Sequence, residues 1–351
     1  MTAPLTPAGA LRRIAFLLER AREPSYRVKA FRTAATVVAG LDDAELDRRV
    51  RTKTLKDLKG VGDKTAAVVV EAHRGEVPEY LAKLEETYAE LTPLADDAAA
   101  LRAALKGDLH AHSDWSDGGS PIRDMAEAAI SIGHEYLALT DHSPRLTVAN
   151  GLTPARLEKQ LDVVAALNDE LAPFRILTGI ECDINVDGSL DQTDELLGRL
   201  DVVVASVHSE LRAPRAAMTE RMLAAVANPH TDVLGHCTGR LVIGRQQRNG
   251  TQKPRPESDF DADAVFRACV EHGTAVEINS RPERLDPPRR LLSQAVELGC
   301  DFAIDTDAHA PGQLDWQDNG CVRAVECGVP ADRVINTGTA EQLLARTHGR
   351  G

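Results

Sequence analysis

The stretch GDLHAHSDWSDG, residues 107–118, places two histidines and three aspartates within twelve positions. His110 and His112 are two residues apart, so on a β-strand both imidazoles point to the same side and can bind one ion. The stretch therefore predicts a short strand that ends in a candidate site.

Six further apolar runs follow along the chain, and amphipathic helices of about a dozen residues separate them. Their near-continuous apolar character is typical of parallel strands that are buried on both faces. With the first stretch they make about seven strands, which predicts an α/β fold, a (β/α)7 barrel of the TIM type. The runs are YLALTDH (136–142), RILTGIECDI (175–184), DVVVASVH (201–208), DVLGH (232–236), TAVEINS (274–280) and FAIDTDAH (302–309).

Imidazoles and carboxylates occupy the ends of these runs. In parallel barrels the carboxyl ends of the strands form one face, on which catalytic groups converge. One histidine at a strand end is usually an ordinary packed residue, but nine such groups at successive strand ends have little structural use. We interpret the nine as metal ligands: His110, His112, Asp117, His142, Glu181, His208, His236, Asp307 and His309.

The ligand types indicate which metals and which chemistry to expect. Imidazole nitrogen and carboxylate oxygen suit Zn, Mn or Fe, and the set contains no thiolate. Nine ligands are too many for one ion, so we expect two or three divalent ions that share a carboxylate. Such a cluster lowers the pKa of a bound water and holds the oxygens of a reacting phosphate. The pattern predicts a phosphoesterase.

Bulk composition excludes several other classes. The 351 residues are 43% apolar, which is enough for a packed core and excludes a disordered chain. The six cysteines contain no CxxC pair, which fits a reducing cytosol. We find no run of about 18 apolar residues and no signal pattern, so we expect a cytoplasmic protein without membrane contact.

The charge differs between two parts of the chain. Residues 1–93 hold 16 Lys and Arg against 14 Asp and Glu, a net charge of +2, and the remaining 25 against 40 leave −15 for residues 94–351. The first part has the apolar spacing of short helices. We therefore predict a small all-α domain at 1–93, an Ala-rich, partly helical linker at 94–106 and the barrel at 107–351.

The motifs of the barrel part resemble a known family. DLHAHS, TDH, GIECDI, SVHS, GHCTGR and DTDAH, in this order, are similar to the polymerase and histidinol phosphatase (PHP) superfamily of trinuclear metallo-phosphoesterases, over about residues 105–348. The segments 207–241 and EINSRPERLD (277–286) most resemble the C-terminal PHP domain of bacterial family X DNA polymerases, a 3′→5′ exonuclease and phosphoesterase. The resemblance implies a distorted barrel, the PHP fold.

The resemblance also implies how the ligands are shared and which of them are catalytic. Glu181 and Asp307 would belong to the catalytic group, with Glu181 as the bridge. One ion would be held by His110, His112, Glu181 and Asp307, a second by Glu181, His208 and His236, and a third by Asp117, His142 and His309.

Two arginines near strand ends, Arg240 and Arg281, are predicted as catalytic phosphate contacts, because guanidinium matches phosphate oxygens bidentately. Two features depart from the family pattern. Cys237 stands where relatives commonly have proline, which would loosen the turn after His236. The basic loop 244–259 is extended, and is either a cap over the site or a solvated surface loop.

The first part is similar to the helix-hairpin-helix domain of the same polymerases, through YRVKAFRTAATVVAGL (26–41) and TLKDLKGVGDKTAAVVVEAHRGEVPE (54–79). Glycines in such a hairpin let the backbone approach a phosphate, and helix amides donate to its oxygens. These contacts bind any sequence. The alternative is a simple packing turn. The predicted DNA contacts are Arg27, Lys29, Arg32, Lys56, Lys59, Gly60, Gly62 and Lys64.

Parts of the polymerases are missing from this sequence. No palm separates the two regions, so we expect no polymerase activity. The DxD spacing in FDADAV (260–265) is interpreted as a helix cap. Val68 stands where lyase relatives have a lysine, so no Schiff base can form there.

Together these patterns predict a hydrolase of phosphodiester or terminal phosphate bonds in DNA ends or single strands, a 3′→5′ exonuclease or 3′-phosphatase in DNA repair. One alternative is a small-molecule phosphatase of the histidinol phosphatase type, whose partner would be a small phosphorylated substrate. Another is a non-catalytic adaptor that binds DNA ends.

Overall fold

The computed structural model describes residues 5–89, 94–246 and 252–348. The chain divides into two compact units, residues 1–93 and 94–351. Within the described residues, the first contains helices and no strand, and the second contains a parallel sheet with surrounding helices.

The first unit begins with a helix that its own sequence caps. Thr6 accepts a hydrogen bond from the Gly9 N–H at 3.1 Å, and Pro7 occupies the first helical turn, where its missing N–H costs nothing. The buried face of this helix packs against the second and fourth helices. The helices are α1 (Pro7–Arg20), α2 (Ser25–Ala39), α3 (Asp43–Thr52), α4 (Asp63–His73) and α5 (Glu79–Ala89).

The second unit contains the predicted barrel of seven parallel strands. Their order is that of the chain, as expected when each helix carries the chain back to the next parallel strand. All seven contribute side chains to one apolar cluster, which Ala340 and Leu343 of the last helix cover. The strands are β1 (Gly107–Ala111), β2 (Tyr136–Leu139), β3 (Arg175–Asp183), β4 (Val202–Ser206), β5 (Val233–Leu234), β8 (Ala275–Asn279) and β9 (Phe302–Asp305), with β6 (Leu241–Gln246) and β7 (Gln252–Arg255) outside the barrel.

In the described part of this unit, six α-helices lie between strands along the chain, one precedes the first strand and two follow the last. Among the described residues, none of the helices is long and apolar enough to cross a membrane. They are α6 (Asp96–Ala104), α7 (Ile122–Ser131), α8 (Pro154–Leu171), α9 (Asp194–Leu197), α10 (Arg215–Val226), α11 (Ala262–His272), α12 (Arg289–Leu298), α13 (Gln317–Glu326) and α14 (Ala340–Thr347).

The first and last strands nearly close the barrel. Ala111 bridges Ala308 in parallel register, and the His112 N–H donates to the Ala308 carbonyl at 2.8 Å. This contact brings the carboxyl end of β1 beside that of β9, so the groups that follow the two strands become neighbours.

Two segments differ from the sequence prediction. The Ala-rich stretch predicted as a linker at 94–106 contains α6, whose Ala98 and Leu101 are buried and which packs against α13, so it belongs to the barrel unit. Strands β6 and β7 form an antiparallel hairpin, which the sequence analysis treated as a loop.

Candidate metal centre

The nine predicted ligands lie together at the carboxyl ends of the barrel strands. His110 is on β1 and Glu181 on β3, and the other seven follow strands or lie in the first loop. His110, His112 and Glu181 are at most 1% exposed. Asp117 has the most exposed side chain of the nine, at 38%, so the cluster opens to solvent on that side.

Glu181 lies in the middle of the cluster, with its two oxygens facing different imidazoles. A carboxylate in this position can be shared between two ions. The Oε1 atom lies 3.2 Å from His208 Nε2 and 2.8 Å from His236 Nε2, and the Oε2 atom lies 3.3, 3.6 and 2.8 Å from His110 Nε2, His112 Nε2 and His142 Nδ1.

Asp117 comes back to the cluster through a tight loop. Its Oδ1 atom lies 3.5 Å from His142 Nε2 and 3.3 Å from His309 Nε2. The next residue, Gly118, donates its N–H to the Ser113 carbonyl at 2.9 Å, and a Cβ there would lie 2.6 Å from that oxygen. Glycine is therefore required for the loop to place Asp117 beside the two imidazoles.

Hydrogen bonds to Asp141, which follows β2, hold the start of the same loop. Its buried carboxylate accepts hydrogen bonds from Ser113 N at 2.8 Å, Ser113 Oγ at 2.6 Å, Ser116 Oγ at 2.5 Å and Gln160 Nε2 at 2.6 Å. Four donors to one buried carboxylate fix the start of the loop.

Asp307 adopts a left-handed backbone conformation with φ of 53°. Non-glycine residues adopt this region rarely, and such strain is found preferentially at functional sites. The conformation places its Oδ1 atom 3.4 Å from His112 Nε2.

The ligand atoms form four overlapping groups in which all atoms lie within 4.8 Å of one another. The third ligand set implied by the family resemblance lies within one of these groups, which also contains His112. The first set is represented without Glu181, and the second set is divided between the two groups that contain Glu181. The assignment of ligands to individual ions stays a prediction. The groups are His110, His112 and Asp307; His110, Glu181 and His236; His142, Glu181 and His208; and His112, Asp117, His142 and His309.

Buried atoms of the cluster test whether the site fits a metal. Buried polar atoms in proteins nearly always have a hydrogen-bond partner. Within the described chain, His110 Nε2, His112 Nε2, His208 Nε2 and Glu181 Oε2 are buried without one, although they face one another. Such atoms, of the nitrogen and oxygen types that divalent ions prefer, fit a metal cluster.

The pKa values of the cluster are shifted in both directions. Burial opposes the charge of His110 and His208, but the charge of Glu181 outweighs burial and raises the pKa of both imidazoles above the ordinary value.

His112 and Glu181 are instead shifted towards the forms that bind metals. Burial, with the charges of His309 and His142, holds the pKa of His112 well below its ordinary value, so this imidazole is neutral. Burial opposes the ionisation of Glu181, but the charge of His110 and its neighbours outweighs burial and holds the pKa of Glu181 well below its usual range. Neutral imidazole and ionised carboxylate are the forms that bind metals.

Arg281 and Arg284 reach the cluster from the turn after β8. Arg281 Nη1 donates to the Asp307 carbonyl at 2.7 Å and lies 3.0 Å from His309 Nδ1. Arg284 Nε donates to Asp307 Oδ2 at 2.8 Å, while its Nη1 is buried without a partner among the described residues. Since an unpaired buried N–H is costly, Arg284 is a candidate anion contact. It is not among the residues predicted from the sequence, although it lies three residues after Arg281.

Arg240, the other predicted phosphate contact, lies elsewhere. Its guanidinium donates to the backbone carbonyls of Arg284, at 3.1 Å, and Leu285, and lies 3.7 Å from Glu257. The structure does not bring Arg240 to the nine ligands. Its described contacts hold the turn that carries Arg284.

Glu277 is a second functional candidate that the sequence analysis missed. It is fully buried on β8, and its Oε1 atom lies 2.6 Å from His110 Nδ1. The signal in the sequence is an acidic residue in the middle of the apolar run TAVEINS.

The predicted departures from the family pattern have structural outcomes. Cys237 is buried, and the turn after His236 is closed by the Gly239 N–H, which donates to the His236 carbonyl at 2.8 Å. Asp261 caps α11 by accepting from Ala264 N at 3.2 Å, which confirms the helix-cap interpretation of the DxD spacing. Of the segment 244–259, predicted as either a cap over the site or a solvated surface loop, residues 247–251 lie outside the described chain.

In the helical unit, the hairpin turn has the predicted glycine geometry. Gly60 has φ of +99°, and a Cβ there would lie 2.6 Å from Thr33 Cγ2. Gly62 precedes α4, and no atom lies within 4 Å of the place where its Cβ would be. The open side at Gly62 gives a ligand access to the first amides of the helix.

Two of the predicted DNA contacts are engaged within the helical unit. Arg32 makes a two-atom ion pair with buried Glu19, at 3.0 and 2.6 Å, and Arg27 donates to Tyr80 Oη at 2.8 Å. These partners give both arginines a structural role.

The predicted lysine contacts are more accessible. Lys29 and Lys59 are exposed, and Lys64 Nζ lies 6.0 Å from the centre of the Tyr80 ring. Lys56 pairs with Asp63 at 2.7 Å, but both side chains are mostly exposed, and such pairs are weak. Their role as DNA contacts stays a prediction.

A seven-stranded parallel barrel with a cluster of imidazoles and carboxylates at the carboxyl ends of its strands defines a class of metal-dependent phosphoesterases. Residues 108–281 match the PHP domain family, and residues 6–77 match a helix-hairpin-helix domain family. The chain belongs to the PHP family and carries an N-terminal helix-hairpin-helix domain, as the motifs predicted.

Individual relatives are similar over different shares of their length. The DNA polymerase/3′-5′ exonuclease PolX of Bacillus subtilis is 42% identical over 69% of this chain, and the chain spans 40% of that protein. A probable phosphatase of Edwardsiella ictaluri is 29% identical over 65% of the chain and 89% of its own length. The crystal structure of histidinol phosphate phosphatase from Lactococcus lactis, complexed with zinc, L-histidinol and phosphate, is 21% identical with a TM-score of 0.45, covering 64% of this chain and 94% of that one.

Proposed function

We propose that the protein hydrolyses phosphodiester or terminal phosphate bonds of DNA, as a 3′→5′ exonuclease or 3′-phosphatase. The observation that carries the proposal is one chain with both a nine-residue ligand cluster and a helix-hairpin-helix unit. The similarity to the B. subtilis polymerase/3′-5′ exonuclease supports DNA as the substrate. The helical unit would bind single strands or ends of DNA through Gly62, Lys56, Lys59 and Lys64.

The residues of the barrel would divide the catalytic work. Two or three Zn, Mn or Fe ions, when bound by the nine ligands, supply water activation and charge neutralisation at the phosphate. Glu181 would be the shared ligand, since its two oxygens face different imidazoles. Arg281 and Arg284 would orient a phosphate and offset its charge, and we assign Arg284 the role predicted for Arg240.

A small-molecule phosphatase is the second candidate. The observation that favours it is coverage: the chain spans 89% of the length of a probable phosphatase but only 40% of the polymerase. The third candidate, an adaptor that binds DNA ends without catalysis, is disfavoured. Among the described residues, buried nitrogen atoms of the five imidazoles around Glu181 have no hydrogen-bond partner, which is costly unless a metal binds them.

We further propose that the protein has no polymerase or lyase activity. Residue 68, where lyase relatives have a lysine, is a valine that is 1% exposed. Without an amine at this position no Schiff base can form there.

Metal content is the first expected result. Protein reconstituted with Mn²⁺ or Zn²⁺ is expected to hold two or three ions per chain by elemental analysis, because nine ligands exceed what one ion can bind. Asp117→Asn should lose about one ion, since Asp117 contacts only His142 and His309 among the ligands. At most one ion in the unaltered protein would contradict the clustered centre.

Substrate preference is the second expected result. The full chain and a fragment of residues 94–351 would be compared on a 3′-labelled oligonucleotide and on histidinol phosphate. The full chain should prefer the oligonucleotide, and the fragment should show a KM for it raised about tenfold at similar kcat, because contacts far from the reacting phosphorus bind ground and transition states alike.

The opposite pattern would favour the second candidate. A fragment that digests the oligonucleotide with unchanged KM would remove the role of the helical unit, and a full chain that prefers histidinol phosphate would identify a small-molecule phosphatase. DNA binding by the full chain should also weaken with salt, with a small slope, because one hairpin contacts few phosphates.

A further inference from the structure

Glu277 is not one of the nine predicted ligands, but it contacts the outward-facing ring nitrogen of one of them, His110. Its side chain is fully buried, and its Oε1 atom lies 2.6 Å from Nδ1 of His110. The other ring nitrogen, Nε2, points into the cluster at 3.3 Å from Glu181 Oε2. Glu277 therefore lies on the far side of His110 from the candidate metals.

The other contacts of Glu277 fix which atoms donate. Its Oε2 atom accepts the backbone N–H of His236 and lies 3.2 Å from Asn279 Nδ2. A backbone N–H can only donate, and so can the amide nitrogen of asparagine. With Oε2 occupied by these donors, the carboxylate has Oε1 left to accept from His110, so Nδ1 of His110 must carry its proton.

We propose that Glu277 is a positioning residue that holds His110 in the Nδ1-protonated form, so that Nε2 is free to bind a metal. The inference rests on the proposed metal centre. A carboxylate on the outer nitrogen of a ligating histidine fixes the ring orientation and raises its basicity. Glu277 acts through His110 on β1 and through the backbone of His236, a predicted ligand that follows β5.

Asp183 makes a comparable contact and provides a matched control. Its Oδ1 atom hydrogen-bonds to Nδ1 of His208, another predicted ligand. Within the described chain, however, no backbone N–H donates to the Asp183 carboxylate. An amide at position 183 can rotate to keep its oxygen on His208, whereas an amide at position 277 cannot rotate freely.

Glu277→Gln therefore tests the tautomer directly. The new side chain must keep its oxygen on the His236 N–H, so its NH2 group faces His110 Nδ1, which then has to accept. The proton moves to Nε2 and blocks metal binding. We expect Zn²⁺ affinity in competition with a chromogenic chelator to fall about 10- to 100-fold. Asp183→Asn should change it far less.

Long-range ¹H–¹⁵N spectra of histidine-labelled full chain give a readout independent of activity. Zinc-loaded unaltered protein should show His110 coordinated through Nε2 with a proton on Nδ1, and Glu277→Gln should lose this one coordinated imidazole. The unaltered protein supplies the first half of the test even if the variant does not fold, which circular dichroism would reveal.

Three results would overturn the inference. The first is coordination of His110 through Nδ1 in the unaltered protein. The second is a Glu277→Gln variant whose zinc affinity and His110 tautomer are both unchanged. The third is an equal loss of zinc affinity in Asp183→Asn, which would indicate that loss of charge alone causes the effect. Unaltered protein that binds no zinc would instead overturn the metal centre itself, and this inference with it.

Discussion

Glu181→Gln is expected to abolish hydrolysis, with kcat lowered by about 10³-fold or more. Loss of one group that stabilises a transition state commonly lowers kcat by about 10²- to 10³-fold, and in this variant two ions would lose a shared ligand. The amide has nearly the same shape as the carboxylate but lacks the charge. It would also place an NH2 group among five imidazoles that are buried around this position. The measurement is kcat on a generic phosphoester at saturating Mn²⁺.

Cys237→Ala is the matched control for Glu181→Gln. Cys237 is also buried and directly follows the ligand His236, but its sulfur lies 3.8 Å from Asp286, outside the ligand cluster. Its loss should reduce stability slightly and leave most of kcat. If Glu181→Gln kept a turnover close to that of Cys237→Ala, Glu181 would not be a shared ligand.

Arg284→Ala is expected to lower kcat by about 10²- to 10³-fold, the usual cost of removing one preorganised donor to developing charge. Arg284 donates to Asp307, and its buried Nη1 group has no hydrogen-bond partner among the described residues. Burial opposes its charge, but Asp307 and Glu181 hold the pKa of Arg284 above its ordinary value, so it stays cationic. The loss should fall on kcat rather than on metal content, which elemental analysis would check.

Arg289→Ala is the control for this second prediction. Arg289 lies on α12, where it pairs with Glu326 and is 59% exposed, so its loss removes a positive charge without touching the cluster. Activity of Arg289→Ala should stay near that of the unaltered chain. Equal losses in the two variants would indicate that Arg284 contributes only net charge.

The strand positions, the strand-end residues and the hairpin glycines of this protein can be predicted from local patterns in the sequence. The apolar runs specify buried parallel strands because both faces of such strands are covered, and the carboxyl ends of parallel strands always meet at one face. Position at a strand end was therefore enough to bring together eight of the nine residues from across 200 positions of the chain, from His110 to His309, and Asp117 follows in the first loop. The glycines of the hairpin were predictable for a similar reason, because a turn with positive φ at Gly60 needs glycine.

Other features depend on contacts that no local pattern specifies. Arg240 and Arg284 both follow barrel strands. The turn after β8, in which Leu285 has φ of 47°, brings the guanidinium of Arg284 to Asp307, whereas the guanidinium of Arg240 donates to backbone carbonyls of that turn. Glu277 meets His110 across 167 positions of the chain. The strands and the grouping of the predicted ligands at their ends were thus determined by the sequence alone, because period and strand ends are local. Which arginine reaches the cluster, and the contact of Glu277 with His110, were decided only by the tertiary structure. The direction of these side chains depends on the backbone torsions of a turn and on hydrogen-bond partners that are distant in the sequence.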